Sequence, residues 1–266
     1  MSEKSIARGV ESGRLVIVGE GVFALAPVLA YDDRGKWMGA TLTAPGSRLS
    51  LGWAGFAWGC WYRPSGLITV TRPGSGGPRR LSGVLAYRST TVAAESTELN
   101  GIPITTVERT LLDLSRYASD AALARGVRDA VRERTTLSGL AAFVLERSKR
   151  RGARRMLGVL NRYSGLPIDR ARSGSEVRAL ELLRDAKRPM PGLNVKIAGE
   201  EADLSWPAIK LIVEIDGGPW HQDVGEDARK QAAWREAGWT VRRIPSDDVY
   251  DRRQQFLALC PTNVPR

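Results

Sequence analysis

EADLSWPAIKLIVEIDGGPWHQDVGEDARKQAAWREAGWTVRRI, residues 201–244, is the stretch whose reading decides the fold. It contains two short apolar runs with carboxylates at their ends. The first, 202–206, includes Asp203 and stops at Pro207; the second, 211–215, carries Glu214 and leads into Asp216. Both are rich in residues that suit strands, and Pro207 and the Gly217-Gly218 pair punctuate them. The spacing predicts a β-hairpin. Alternation puts Glu214 and Asp216 on one face and leaves Ile212, Val213 and Ile215 to line a core. Working outward, a helix over 223–237, a strand over 239–244 and a last helix over 247–259 follow. A helix opening at Ser173 and a strand over 194–197 precede. The order α-β-β-β-α-β-α predicts a mixed sheet with helices on both faces.

Carboxylates on a small apolar hairpin are costly unless something compensates them. A hard divalent cation does this, since Mg²⁺ takes oxygen ligands from one or two carboxylates plus water and substrate phosphates. Asp203 and Glu214 lie eleven residues apart across a tight hairpin, close enough to share an ion. Beyond them stand Trp220 and His221, the only histidine of the chain. An imidazole beside a metal site can activate a water or protonate a leaving group. The bland reading is that an Asp and a Glu near a hairpin are surface or turn residues.

Asp203, the run to Glu214, Ile215-Asp216-Gly217, Trp220-His221, Asp227, Arg229 and Ala237-Gly238-Trp239-Thr240-Val241 resemble a very-short-patch-repair (Vsr)-like endonuclease domain. That group belongs to the PD-(D/E)xK nuclease superfamily, and the resemblance covers residues 173–259. It implies a restriction-endonuclease-like fold, Mg²⁺ or Mn²⁺ as cofactor and DNA as substrate. It implies that Asp203 and Glu214 bind the metal with the carbonyl of Ile215, and that His221 is the catalytic histidine. Asp216 stands where many superfamily members carry lysine, which leaves water activation to His221 or to the metal. Glu176 has two readings. With Ser173 it forms a capping box; by resemblance it is the acid of the first helix, which helps hold metal-bound water. Asp227 either orients His221 or binds the arginine of a neighbouring turn, an ordinary helix-surface ion pair being the bland reading, and Trp220 supports the site from beside it.

The net charge of +11 is unevenly spread. Residues 170–266 hold 16 Lys and Arg against 15 Asp and Glu, whereas residues 1–169 hold 24 against 14. The basic part therefore precedes the acid-bearing stretch, and it points to a polyanionic partner, most simply DNA. Arginine-rich composition alone is the competing explanation. Lys149-Arg150-Arg151-Gly152-Ala153-Arg154-Arg155 is the densest cluster. It reads either as a solvated face or as a nucleic-acid contact that delivers phosphate to the acids. Residues 72–80 form a second basic stretch, read either as a phosphate contact or, preferably, as a solvated hairpin connection. No apolar run is long enough for a bilayer, and Cys60 and Cys260 predict free thiols in a reducing cytoplasm.

The remaining landmarks lie nearer the N-terminus. A helix over 6–12, Gly13, a strand over 14–18, a turn at 19–21 and a strand over 22–25 resemble the recognition helix and wing of a winged helix-turn-helix, as in AbiEi-type antitoxins. The residues before Ile6 are too few for the two preceding helices, so either the start of the sequence lies late or the module is truncated, which puts sequence-specific DNA reading by this segment in doubt. Residues 49–59 resemble the short helix that follows the wing. GIPITTVERTLLDL, residues 101–114, is similar to another stretch of AbiEi-like proteins. Physically it is a strand end, a Thr106 N-cap and an amphipathic helix in which Arg109 and Asp113 can pair. Strands over 67–71 and 83–87, and helices over 119–133 and 136–147, complete the reading. The predicted organisation is a partial winged-helix and β-rich region over 1–100, a helical basic region over 101–168 and an endonuclease-like domain over 169–266. The predicted class is α/β (α+β). The competing functional reading is a non-catalytic, antitoxin-like regulator that keeps a nuclease fold as a scaffold. Its expected partner is a nucleotidyltransferase-type toxin. Nothing in the residues separates DNA from RNA as the substrate.

Overall fold

Two compact units, Met1–Leu160 and Asn161–Arg266, make up the chain in a computed structural model. The structure describes residues 2–25, 32–217 and 224–265. The predicted α/β class is observed, with mixed sheets flanked by helices.

In the first unit, helix α1 (Glu3–Glu11) starts at Ser2, whose hydroxyl accepts the N–H of Ser5. Strands β1 (Val16–Gly19) and β2 (Val22–Ala24) form the expected hairpin. Its turn uses Gly21 at φ +71°, a conformation that favours glycine. Helix α2 (Asp33–Thr43) is capped by Asp32. Its apolar residues follow no clean helical stripe, so no periodicity in the sequence marks it. A six-stranded sheet follows, built from β3 (Arg48–Leu49), β4 (Ile68–Pro73), β5 (Arg79–Leu81), β6 (Val84–Ser89), β7 (Ser96–Leu99) and β8 (Ile102–Thr105). Its order is β5-β6-β4-β3-β8-β7. Helix α3 (Leu51–Ala57) carries Trp53 and Ala54 into a core with Leu49, Ile102 and Ile104. Ala40 and Ala44 meet Val70, Val84 and Ala86 in a second cluster.

The expected hairpin connection over 72–80 is corrected by the topology. Strands β4 and β6 pair in parallel, and Arg79 and Arg80 belong to β5, an edge strand antiparallel to β6. Exposed arginines on an edge discourage further strand pairing.

Four helices follow the sheet: α4 (Val107–Leu114), α5 (Asp120–Glu133), α6 (Leu137–Glu146) and α7 (Ala153–Arg162), the last reaching two residues past Leu160. Thr106, Ser119 and Thr136 cap the first three, each through a side-chain oxygen accepting a backbone N–H. These helices are not separate from the sheet. Glu95, buried at 4% exposure, accepts from Arg109 of α4 and from Arg147 and Arg150 beyond α6. A boundary at residue 100 would cut this network, so the helical region belongs with the strands before it.

The second unit holds a four-stranded sheet of order β12-β11-β10-β9. Its strands are β9 (Gly192–Ile197), β10 (Glu200–Trp206), β11 (Leu211–Asp216) and β12 (Thr240–Pro245). The predicted hairpin is β10 and β11, antiparallel and joined by a 3₁₀ turn at Pro207–Ile209. Strand β12 adds in parallel, after helix α9 (Val224–Glu236). Leu211, Ile212 and Val213 are all buried. Successive residues of a strand point to opposite faces, so the sheet is covered on both sides. Ile212 therefore shares its parity with Glu214 and is still fully buried, and Ile215 is only half-buried. Trp234 of α9 meets Ile197, Ala202 and Ile212, and its indole N–H donates to the Ile197 carbonyl at 3.0 Å. Helix α8 (Gly174–Asp185) opens the domain core with Val177, Leu180, Leu182 and Leu183 buried. The last predicted helix is two, α10 (Ser246–Asp251) and α11 (Arg253–Leu259), broken at Arg252.

Candidate functional site

Asp203 and Glu214 occupy adjacent strands, one step beyond the paired residues Leu204 and Val213. At this point the two strands are tied by side chains. The N–H of Asp203 donates to Glu214 Oε1 at 2.9 Å. The N–H of Ile215 donates to Asp203 Oδ2 at 2.8 Å. The two carboxylates are thus crossed between strands, and each is fixed by one oxygen. Among the described residues, the second oxygen of each has no hydrogen-bond partner.

Their electrostatics are unfavourable. Burial pushes the Asp203 carboxyl up to about 6, against the opposing N–H of Ile215, and the charges of Glu176, Asp216 and Glu201 add to the rise. Burial likewise raises Glu214 to about 7, with the Asp203 charge adding to it. Arg243 and Lys230 pull Glu214 in the other direction without cancelling this. Neighbouring carboxylates that resist losing both protons are the ordinary result of like charge in a poorly solvated place.

Glu176 is buried on α8 and close enough to act on Asp203. Its capping role is displaced by one residue from the expected box. Ser173 Oγ accepts the Glu176 N–H at 3.1 Å, but Glu176 Oε2 accepts from the N–H of Arg172 at 2.9 Å. Glu176 Oε2 also accepts from Asn194 Nδ2 at 2.7 Å. Asn194, at φ +50°, faces the gap at Asp203 in the β9–β10 ladder. Its amide nitrogen has two acceptors, Glu176 and the Arg170 carbonyl, while its buried Oδ1 has no donor.

Asp216 is held by Arg243 of β12, Nε to Oδ1 at 2.8 Å. The same guanidinium bonds Asp227 Oδ2 at 2.9 Å. Asp227 therefore binds an arginine of strand β12 rather than one of a neighbouring turn. Trp220 and His221 lie outside the described residues. The structure thus brings together Asp203, Glu214 and Ile215, with Glu176 and Asp216 in electrostatic reach. Sequence reasoning missed Asn194 and Arg243. Glu214 and Arg243 sit opposite each other in the parallel ladder, a pairing that no local spacing reveals.

The basic run belongs to the first unit and is not uniform. Arg150 is turned inward onto Glu95, with Nη2 to Oε1 at 2.7 Å, which removes it from the expected nucleic-acid contacts. Arg155 pairs with Asp120 at 2.5 Å across an exposed surface. Lys149, Arg151 and Arg154 are exposed, and no ion pair holds them among the described residues.

Hard oxygen donors, an unneutralised carboxylate pair and the orphaned Asn194 oxygen are the chemistry that suits a divalent cation. Among the described residues no group of three or more His, Cys, Asp or Glu side chains converges as a closed metal cage. Asp203 and Glu214 are the side chains that could hold such a cation, in an open site rather than a closed cage. No helix among the described residues is long and apolar enough to cross a membrane. No family model matches the chain, and the search of curated proteins gives no match.

Proposed function

We propose that the second unit is a metal-dependent endonuclease of the Vsr-like, PD-(D/E)xK type, hydrolysing phosphodiester bonds in DNA. The observation that supports this most is the crossed Asp203–Glu214 pair, half-buried, with both carboxyl groups pushed up toward neutral pH. Such a pair is costly in a merely structural role and is suited to a cation. Asp203 and Glu214 would hold Mg²⁺ or Mn²⁺, which supplies charge neutralisation at the scissile phosphate and an acidified water. The Ile215 N–H and the Asp203 N–H hold the two carboxylates in place. Glu176, fixed by Asn194 and the Arg172 N–H, faces the same charge cluster. Arg243 keeps a cation beside Glu214 and is itself clamped by Asp216 and Asp227. His221 is assigned the proton transfer, as base to the attacking water or acid to the leaving oxygen.

One observation favours a second reading. Each carboxylate accepts a backbone N–H of the opposite strand, which by itself locks the hairpin. In that reading the chain is a non-catalytic nucleic-acid-binding regulator, with a nucleotidyltransferase-type toxin as partner. A cleavage assay separates the two. Supercoiled, linear, mismatched and single-stranded DNA, and RNA, are incubated with the chain and with Asp203→Asn and His221→Ala, with Mg²⁺, Mn²⁺ or EDTA. Metal-dependent nicking by the parent chain, lost in both variants, is the expected result. No cleavage of any substrate, with nucleic-acid binding equal in all three proteins, refutes the enzyme.

A further inference from the structure

The seven-residue basic run divides by what each side chain touches. Arg150 is consumed by Glu95, whereas Arg151 and Arg154 have no hydrogen-bond or ion-pair partner among the described residues. These two line a cavity of about 360 Å³ together with Ser115, Arg116, Gly152 and Arg155. All six residues lie in the first unit. Gly152 makes the concavity possible. It sits at φ +94°, and a Cβ there would meet Ser115 Oγ at 2.2 Å and Arg116 Cγ at 3.1 Å. Only glycine lets the chain at 151–154 come this close to the end of α4.

Four arginines therefore line one hollow, and the head groups of Arg151 and Arg154 have no partner among the described residues. Arg155 is held by Asp120, and Arg116 lies over the Tyr117 ring at 5.1 Å. Of the residues lining the hollow, none is acidic. Like charges gathered in a concavity repel one another, and an anion seated among them removes that cost. Guanidinium forks match the oxygens of a phosphate in two-point contacts. We propose that this cavity seats a backbone phosphate of a nucleic acid, with Arg151 and Arg154 as its principal contacts. The excess of 24 basic over 14 acidic residues in 1–169 favours a polyanion over a single free phosphate. The proposal rests on the nucleic-acid partner of the proposed function and is independent of cleavage.

The test is fluorescence anisotropy of the full chain on a short labelled DNA duplex, in EDTA, across a salt series. Arg151→Gln/Arg154→Gln is compared with the charge-matched Arg79→Gln/Arg80→Gln on the exposed edge strand. The cavity pair is expected to weaken binding about tenfold and to lower the slope of log affinity against log salt by about 2. The edge-strand pair is expected to change little. Equal losses in the two variants, or none in the first, overturn the proposal. Inorganic phosphate is titrated calorimetrically in a second arm. Weak competition at millimolar phosphate is expected. Tight phosphate binding that the cavity variant abolishes, with duplex affinity unaltered, overturns the backbone assignment in favour of a small-anion site. The titrations are run in EDTA, where no metal-dependent cleavage occurs, so loss of this contact is read separately from loss of cleavage.

Discussion

The Asp203–Glu214 pair should make the stability of the second unit fall as pH rises. Their ordinary values are 3.8 and 4.5, and in the folded chain they stand at about 6 and about 7. The folded unit thus holds more protons than the unfolded chain between about pH 4 and 7, and it loses stability as pH rises through that window. Between pH 5 and 8 the two groups together account for about 3 kcal/mol, allowing for their joint titration. With a urea slope of about 1.5 kcal/mol/M, the midpoint should drop by about 2 M. Each unit carries its own reporter. Cys60 lies in the first and Cys260 in the second, both buried, with their thiols pushed up to about 12 by burial. Such thiols react only on unfolding. Pulsed thiol labelling of urea-equilibrated protein, resolved by peptide, reads each unit separately. Asp203→Asn/Glu214→Gln keeps both acceptors for the backbone N–H groups and removes the charges. It should stabilise the Cys260 unit at pH 8 by about 3 kcal/mol and abolish its pH dependence over this range. Mg²⁺ at pH 8 should protect Cys260 in the parent chain and not in the variant. A parent Cys260 midpoint that is the same at pH 5 and 8, or a variant that keeps the parent's slope, would refute the reasoning.

Arg243→Gln removes the cation that lowers Glu214, so the fall in Cys260 protection should extend to higher pH than in the parent chain. An unchanged profile would show that Arg243 only clamps Asp216 and Asp227. Glu95→Gln leaves three arginines around a neutral group and should cost the first unit about 3–5 kcal/mol, read as the Cys60 midpoint. Burial opposes ionisation of Glu95, but the guanidiniums of Arg150, Arg147 and Arg109 outweigh it and hold the carboxyl down at about 2. Its contribution is present above about pH 4.5 and is lost as pH falls toward 2, so the parent and variant should converge in acid. Gly152→Ala should cost about 1–3 kcal/mol from its left-handed backbone alone. Ser115→Ala should recover only the part due to the clash with Ser115 Oγ, and full recovery would show that the backbone is unstrained.

The hairpin was legible because its signals are local: Pro207 between two apolar runs and acids eleven residues apart. The helix starts at Thr106, Ser119 and Thr136 were legible for the same reason, since a cap acts on the next three residues. The first sheet was not. Parallel pairing of β4 with β6, with β5 on the far edge, depends on contacts that no window of sequence contains. Helix α2 escaped because its apolar residues serve several neighbours at once. Within the site, the acids could be named, but Asn194 and Arg243 could not, since each arrives from another strand. In the basic run, Arg150 and Arg151 look alike until Glu95, fifty-five residues away, takes one of them.

That single glutamate has a consequence for how the gene can be divided. Glu95 stands before the β7 strand, and its three arginine partners come from residues 109–150. A fragment ending near residue 100 would carry an uncompensated carboxylate into its interior, and the complementary fragment would expose three arginines with nothing to hold. Circular permutation, tag insertion or expression of a part should therefore respect residues 1–160 as one indivisible block. Recombination during evolution meets the same restriction, so exchange of modules is best tolerated beyond the end of α7, after residue 162.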